Sequence, residues 1–127
     1  MSIVKTRKKA AKVVKGASRK RGENHRKEMR LMEILLKLEG ELDHHSADVM
    51  REKLDREILS SGADTVIFDL SGLTFMDSSG IGVLLGRYKL FATRKLYVTG
   101  ASGSVARLLK LSGIESLMPE YRGGEAI

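Results

Sequence analysis

The stretch Thr65-Val-Ile-Phe-Asp-Leu70 is almost continuously apolar. It is the length of a strand, and its apolar residues occupy both phases of a period-two repeat, so it reads as a strand covered on both faces. Such a strand sits inside a sheet, with helices packed over it. Ser71-Gly72 is expected to turn the chain. Then comes Phe75-Met-Asp-Ser-Ser-Gly-Ile-Gly82, and an apolar-periodic helix from Ile81 to Phe91. Asp77, Ser78 and Ser79 are good N-cap types, because each side-chain oxygen can accept from free backbone N–H groups. Gly80 lets another chain approach closely. One reading of Asp-Ser-Ser-Gly is a helix cap and nothing more. The other is a serine hydroxyl presented at a helix N-terminus, where the dipole and unpaired N–H groups favour an anion.

The remaining segments alternate in the same way. Ile34, Leu36 and Leu38 alternate with Leu35, Lys37 and Glu39, the period of a strand with one buried face. Gly40 to His45 is expected to leave that strand. Ser46 can cap the next helix, whose stripe is Met50, Leu54 and Ile58 with Ala47 and Val49 beside it, and Gly62 ends it. In the helix after Gly80, Ile81, Leu84, Leu85 and Tyr88 should face the sheet. Gly82 and Gly86 fall on one flank, and Val83 and Leu90 point away from the core stripe. Each interior glycine costs a helix roughly 1 kcal/mol relative to alanine, a cost that a partner's backbone against that flank would explain. The flank is a docking surface on this reading, although isolated exposed apolar residues are also ordinary. Lys95 to Thr99 reads as a strand with Leu96 and Val98 on one side. Val105, Leu108, Leu109 and Leu111 mark a short helix capped by Ser102 or Ser104 and stopped by Gly113, and Ile114 to Met118 is expected to be a last short strand. The class is α/β, a small mixed, mainly parallel sheet flanked by α-helices.

Charge divides the chain of 127 residues. Residues 1 to 30 carry twelve Lys or Arg against two Glu, whereas the other 97 residues carry eleven against fourteen acidic residues. The expected organisation is a basic, disordered extension over residues 1–29 and one domain over 30–127. The extension could be a nucleic-acid or anionic-membrane arm, a solubilising tail, or residues upstream of a true start at Met29 or Met32. No aromatic lies among its basic residues, so base stacking has no support, and nucleic acid is not the expected partner. With no cysteine, thiolate metal sites and disulfides are excluded. No apolar run reaches the ~20 residues of a membrane span, and the expected location is the cytoplasm.

Catalytic constellations are scarce. Asp43-His44-His45 is the one His-rich spot, and adjacent His residues in an extended segment point to opposite sides, which suits solvated loop residues better than metal ligands. No phosphate-binding Gly-x-x-x-x-Gly-Lys-Ser/Thr loop and no Gly-x-Ser-x-Gly elbow occurs. Ser78 has an acidic neighbour but no evident His or Lys base. The expectation is a protein that is not an enzyme and takes no cofactor or metal.

Gly40-Glu-Leu-Asp-His-His45, Phe75-Met-Asp-Ser-Ser-Gly-Ile-Gly-Val83, Gly86-Arg-Tyr-Lys89 and Val105-Ala-Arg-Leu-Leu-Lys-Leu-Ser-Gly113 together resemble the anti-sigma F factor antagonists of spore-forming bacteria, which are STAS-domain proteins. The resemblance covers roughly Met32 to Met118. It implies a partner-switching role in sporulation. In that family the unphosphorylated antagonist binds an anti-sigma factor and so releases the sigma factor. The anti-sigma factor is also a serine kinase that phosphorylates the antagonist and ends binding, and a serine phosphatase reverses this. The resemblance makes Ser78 the phosphorylated residue. The partner-binding positions expected with it are Asp43, Asp77, Ser79, Gly80, Gly82, Val83, Gly86 and Leu90. The family begins with a strand before the one at Ile34, where this chain has its basic arm, and the family's C-terminal helix is missing or cut short after Tyr121. Two other functions fit the same residues less fully: a STAS regulatory or scaffold module without phosphorylation, and nucleic-acid binding through the arm.

Overall fold

The computed structural model describes residues 2–15 and 28–123. Four strands form one sheet in the order β1 (Ser2–Lys15), β2 (Glu28–Leu42), β3 (Thr65–Met76) and β4 (Lys95–Thr99). β2, β3 and β4 are parallel, and β1 runs antiparallel to β2. Parallel neighbours need a crossover, and α1 (Ala47–Ser61) and α2 (Ser78–Leu90) supply the two. α3 (Gly103–Ser112) and a 3-10 turn (Ile114–Ser116) follow β4.

The central strand behaves as its composition requires. Thr65, Val66, Ile67 and Phe68 are buried in succession, which needs cover on both faces. Ile34, Leu36 and Leu38 of β2 are fully buried, with Met50, Leu54 and Ile58 of α1 in the same core. Leu96 and Val98 of β4 complete it.

Several expectations are corrected. The sequence reading gave residues 1–29 as a disordered extension; β1 lies in that range and pairs along β2 from Ser2↔Glu39 to Lys15↔Glu28. Without it the outer ladder groups of β2 would have no partner, and β-branched residues such as Ile3, Val4, Val13 and Val14 suit a strand despite the charge. Residues 16–27, the rest of the expected disordered extension, lie outside the described residues. Ser71-Gly72 does not turn the chain, since β3 runs on to Met76. A Cβ on Gly72 would stand 2.8 Å from the Leu38 carbonyl oxygen, so this glycine serves the close approach of two backbones. β2 likewise runs past Gly40 to Leu42, with Gly40 at φ 100° beside a bulge. Val49 is 54% exposed and Leu111 78% exposed, so neither belongs to its helix's core stripe. Ile114 to Met118 is not a strand: Ile114–Ser116 makes the 3-10 turn, although Ile114 and Met118 are buried as a core segment should be.

The open edge of β4 is partly closed by the residues after Pro119. Val98 N–H donates to the Pro119 carbonyl at 3.1 Å, and Tyr121 N–H donates to the Val98 carbonyl at 2.8 Å. The Tyr121 hydroxyl then donates to Glu33 Oε2 at 2.8 Å, joining the end of the described chain to β2.

Candidate functional site

β2 and β3 are parallel neighbours, so the loops leaving their C-terminal ends meet at one pole of the sheet, the usual location of sites in parallel α/β folds. One loop holds Asp43, His44 and His45, and the other ends in Asp77, with Ser78 opening α2 directly after it. A hydrogen bond from Asp77 N–H to the Leu42 carbonyl, 3.3 Å, ties them together.

Each loop is organised by its aspartate. Asp77 is the N-cap of α2, with extended backbone, and its Oδ1 accepts from Ser79 N–H at 2.8 Å. Asp43 Oδ1 accepts from His45 N–H at 2.9 Å and Ser46 N–H at 3.1 Å. The Asp43 carboxylate thus closes the turn ahead of α1, and Ser46, expected to cap that helix, makes no side-chain cap bond. Ser46 Oγ instead donates to the Glu41 carbonyl at 2.8 Å. Partial desolvation pushes the Asp77 carboxyl up, but hydrogen bonds from the Ser79 and Gly80 backbone and from His44 outweigh it and hold the group below the ordinary aspartate value. Asp43 is lowered in the same way, its desolvation outweighed by the His45 and Ser46 backbone bonds and by the nearby imidazoles.

Ser78 is the first residue of α2 and is exposed. Gly82, Gly86 and Leu90 follow it at steps of four, so all lie along one side of the helix. Gly82 is exposed, Gly86 half-buried and Leu90 59% exposed. A Cβ on Gly86 would meet nothing within 4 Å, and one on Gly82 only Arg51 Nη2 at 4.0 Å. No contact among the described residues therefore requires these two glycines. Gly80 differs: a Cβ there would collide with Met76 Cγ and stand 3.0 Å from the Leu42 carbonyl oxygen. The close approach it permits is to this chain's own β2, and Gly80 is buried.

Val83, expected to be exposed, is fully buried. The core stripe of α2 is Gly80, Val83, Leu84 and Arg87 with Ile81, while Leu85 and Tyr88 pack only partly. The stripe is therefore rotated by about one residue from the expected one. Arg87 explains the difference. It is buried, and its Nε lies 2.7 Å from Asp55 Oδ1 of α1, so a cation occupies a position where periodicity alone asks for an apolar residue. Of the expected site residues, the structure gathers Asp43, Asp77, Ser78 and Ser79 at the pole and sets Gly82, Gly86 and Leu90 along the helix. It places Gly80 and Val83 inside. His44 was read as a solvated loop residue, yet its Nδ1 lies 3.7 Å from Asp77 Oδ2. Parallel pairing of β2 with β3 was the signal that could have brought the two together. Among the described residues no group of three His, Cys, Asp or Glu could hold a metal ion, and no helix is long and apolar enough to cross a membrane.

Three parallel strands, helical crossovers and a capped serine at their C-terminal pole define a STAS domain, and the chain belongs to that family, which it matches over residues 25–123. Within the family it is similar to the anti-sigma F factor antagonist of Paenibacillus polymyxa, at 41% identity over 90 residues that cover 69% of this chain and 77% of the relative. Its fold is similar to that of the anti-sigma factor antagonist SpoIIAA in its unphosphorylated form. The TM-score is 0.60 at 31% identity, over 74% of this chain and 84% of that one. The phosphorylated form of SpoIIAA, a Bacillus cell fate determinant, gives a TM-score of 0.51 at 32% identity, over 74% and 86% of the two chains.

Proposed function

We propose that this chain is an anti-sigma factor antagonist. Its unphosphorylated form binds an anti-sigma factor and so frees a sigma factor, and phosphorylation of Ser78 ends that binding. The observation that carries the reading is the position of Ser78. Its hydroxyl stands exposed at the head of the line Ser78, Gly82, Gly86 and Leu90, so a phosphate there would meet any partner docked along α2. The identity to an anti-sigma F factor antagonist and the likeness to SpoIIAA, a protein solved in phosphorylated and unphosphorylated forms, support it.

The role is regulatory, with the chain as substrate and not as catalyst. The partner is an anti-sigma factor that is itself a serine kinase: Ser78 Oγ takes the γ-phosphoryl group of ATP, and ADP leaves. A serine phosphatase restores the hydroxyl, and the exchange takes place in the cytoplasm. Asp43, Asp77 and Ser79 frame the serine, and Gly82, Gly86 and Leu90 form the surface against which the partner lies. Intact mass after incubation with the cognate kinase and ATP tests this. A gain of one phosphate, mapped to Ser78, is expected, together with loss of binding. An unmodified chain that still binds would leave a STAS regulatory or scaffold module in its place.

A further inference from the structure

Asp77 stands immediately before Ser78, and its carboxylate is committed on both sides. Oδ1 accepts from Ser79 N–H at 2.8 Å, and Oδ2 faces His44 Nδ1 at 3.7 Å. Asp77 therefore cannot turn away from Ser78 without giving up the cap of α2. A phosphate on Ser78 adds about −1.5 to −2 charges beside this fixed carboxylate. Two anions so close oppose each other's ionisation unless a cation lies between them. The first turn of α2, Ser78-Ser-Gly-Ile81, supplies none. The loop after β2 supplies imidazoles. His44 is 69% exposed in its side chain, and its ring lies against that of His45 with centroids 4.0 Å apart. Among the described residues, the titratable groups facing His44 are Asp77, the N-cap of α2, and, from its own loop, Asp43 and His45.

We infer that His44 is the counter-cation of phosphorylated Ser78, its imidazolium shared between the phosphate and Asp77. It is a positioning residue: it takes no part in phosphoryl transfer but holds the dianion against the cap of α2. The helix then survives modification, and the effect of the phosphate falls on the partner. This rests on the phosphorylation of Ser78 proposed above.

A 31P NMR pH titration of the phosphorylated full chain tests it. The second ionisation of a free phosphoserine lies near pH ~6. In the wild-type protein it falls below that, and in His44→Gln it moves back up, by a shift of up to about one pH unit. His44→Lys, which restores a cation, brings it down again, and His45→Gln leaves it at the wild-type position. A His44→Gln phosphoprotein that titrates with the wild type overturns the assignment alone. Phosphate that maps away from Ser78, or fails to add at all, overturns the underlying reading and this assignment with it, and peptide mapping separates the two outcomes.

Discussion

At the scale of single residues, Ser78 has two neighbours with opposite effects on a phosphate. The N-terminus of α2 favours the added charge, and the Asp77 carboxylate opposes it. Modification should therefore leave the helix in place and act through desolvation of a dianion against the partner. Ser78→Ala is expected to take no phosphate and to bind the anti-sigma factor like the wild type. Ser78→Asp should lose at least ~1.4 kcal/mol of binding, tenfold in affinity, with an unchanged circular dichroism spectrum. Unfolding of Ser78→Asp would count against an interface mechanism. Asp77 adds a pH dependence. Its folded carboxyl is held below the ordinary aspartate value. The stabilisation this provides is therefore complete above that ordinary value and is lost as pH falls through the lowered one. Denaturant melts of wild type and Asp77→Ala should converge as the pH drops through that window, and curves that stay parallel would count against it. Ser78 and Asp77 could be read from the sequence because a capping residue acts within three positions of itself. The pairing of His44 with Asp77 could not, because it depends on two loops brought together by a sheet.

At the scale of elements, α2 shows where periodicity misleads. The sequence reading started it at Ile81, three residues late, and misplaced its core face, because periodicity alone gives a cation such as Arg87 no place in a core. Asp55 of α1 pairs with it, and a stripe that includes Arg87 takes Val83 into the core. α1 had no such residue, and its stripe of Met50, Leu54 and Ile58 was legible, as was the Gly62 stop, where φ is 66°. The corrected α2 sharpens a test of docking. Among the described residues nothing holds Gly82 or Gly86 as glycine, so Gly86→Ala should raise stability by up to about 1 kcal/mol in a denaturant melt. Gly86→Leu should still melt cooperatively yet lose binding. An unchanged affinity for Gly86→Leu would remove α2 from the interface.

At the scale of the whole molecule, alternation of apolar strands and amphipathic helices was enough to place the parallel core. The first strand was not legible, because a block of like charge reads as solvated when its partner strand is unknown. The sequence reading expects removal of Met1 to Glu28 to leave folding nearly unchanged. The pairing of β1 along the outer edge of β2 argues the other way. Chains lacking residues 1–15 should melt several degrees lower and associate more readily through the exposed edge. Equal melting temperatures and a monomeric profile in light scattering would restore the original view. The bond between Tyr121 and Glu33 has a different consequence, one of timing. These residues are 88 positions apart. At a synthesis rate of roughly 5–20 residues per second, Glu33 is made about 4 to 18 s before Tyr121 exists. β4 ends 22 residues before Tyr121, so the nascent sheet has an open β4 flank for roughly the last 1 to 4 s of that interval, and this exposure to proteases and to mispairing falls during translation, before the finished chain meets any partner.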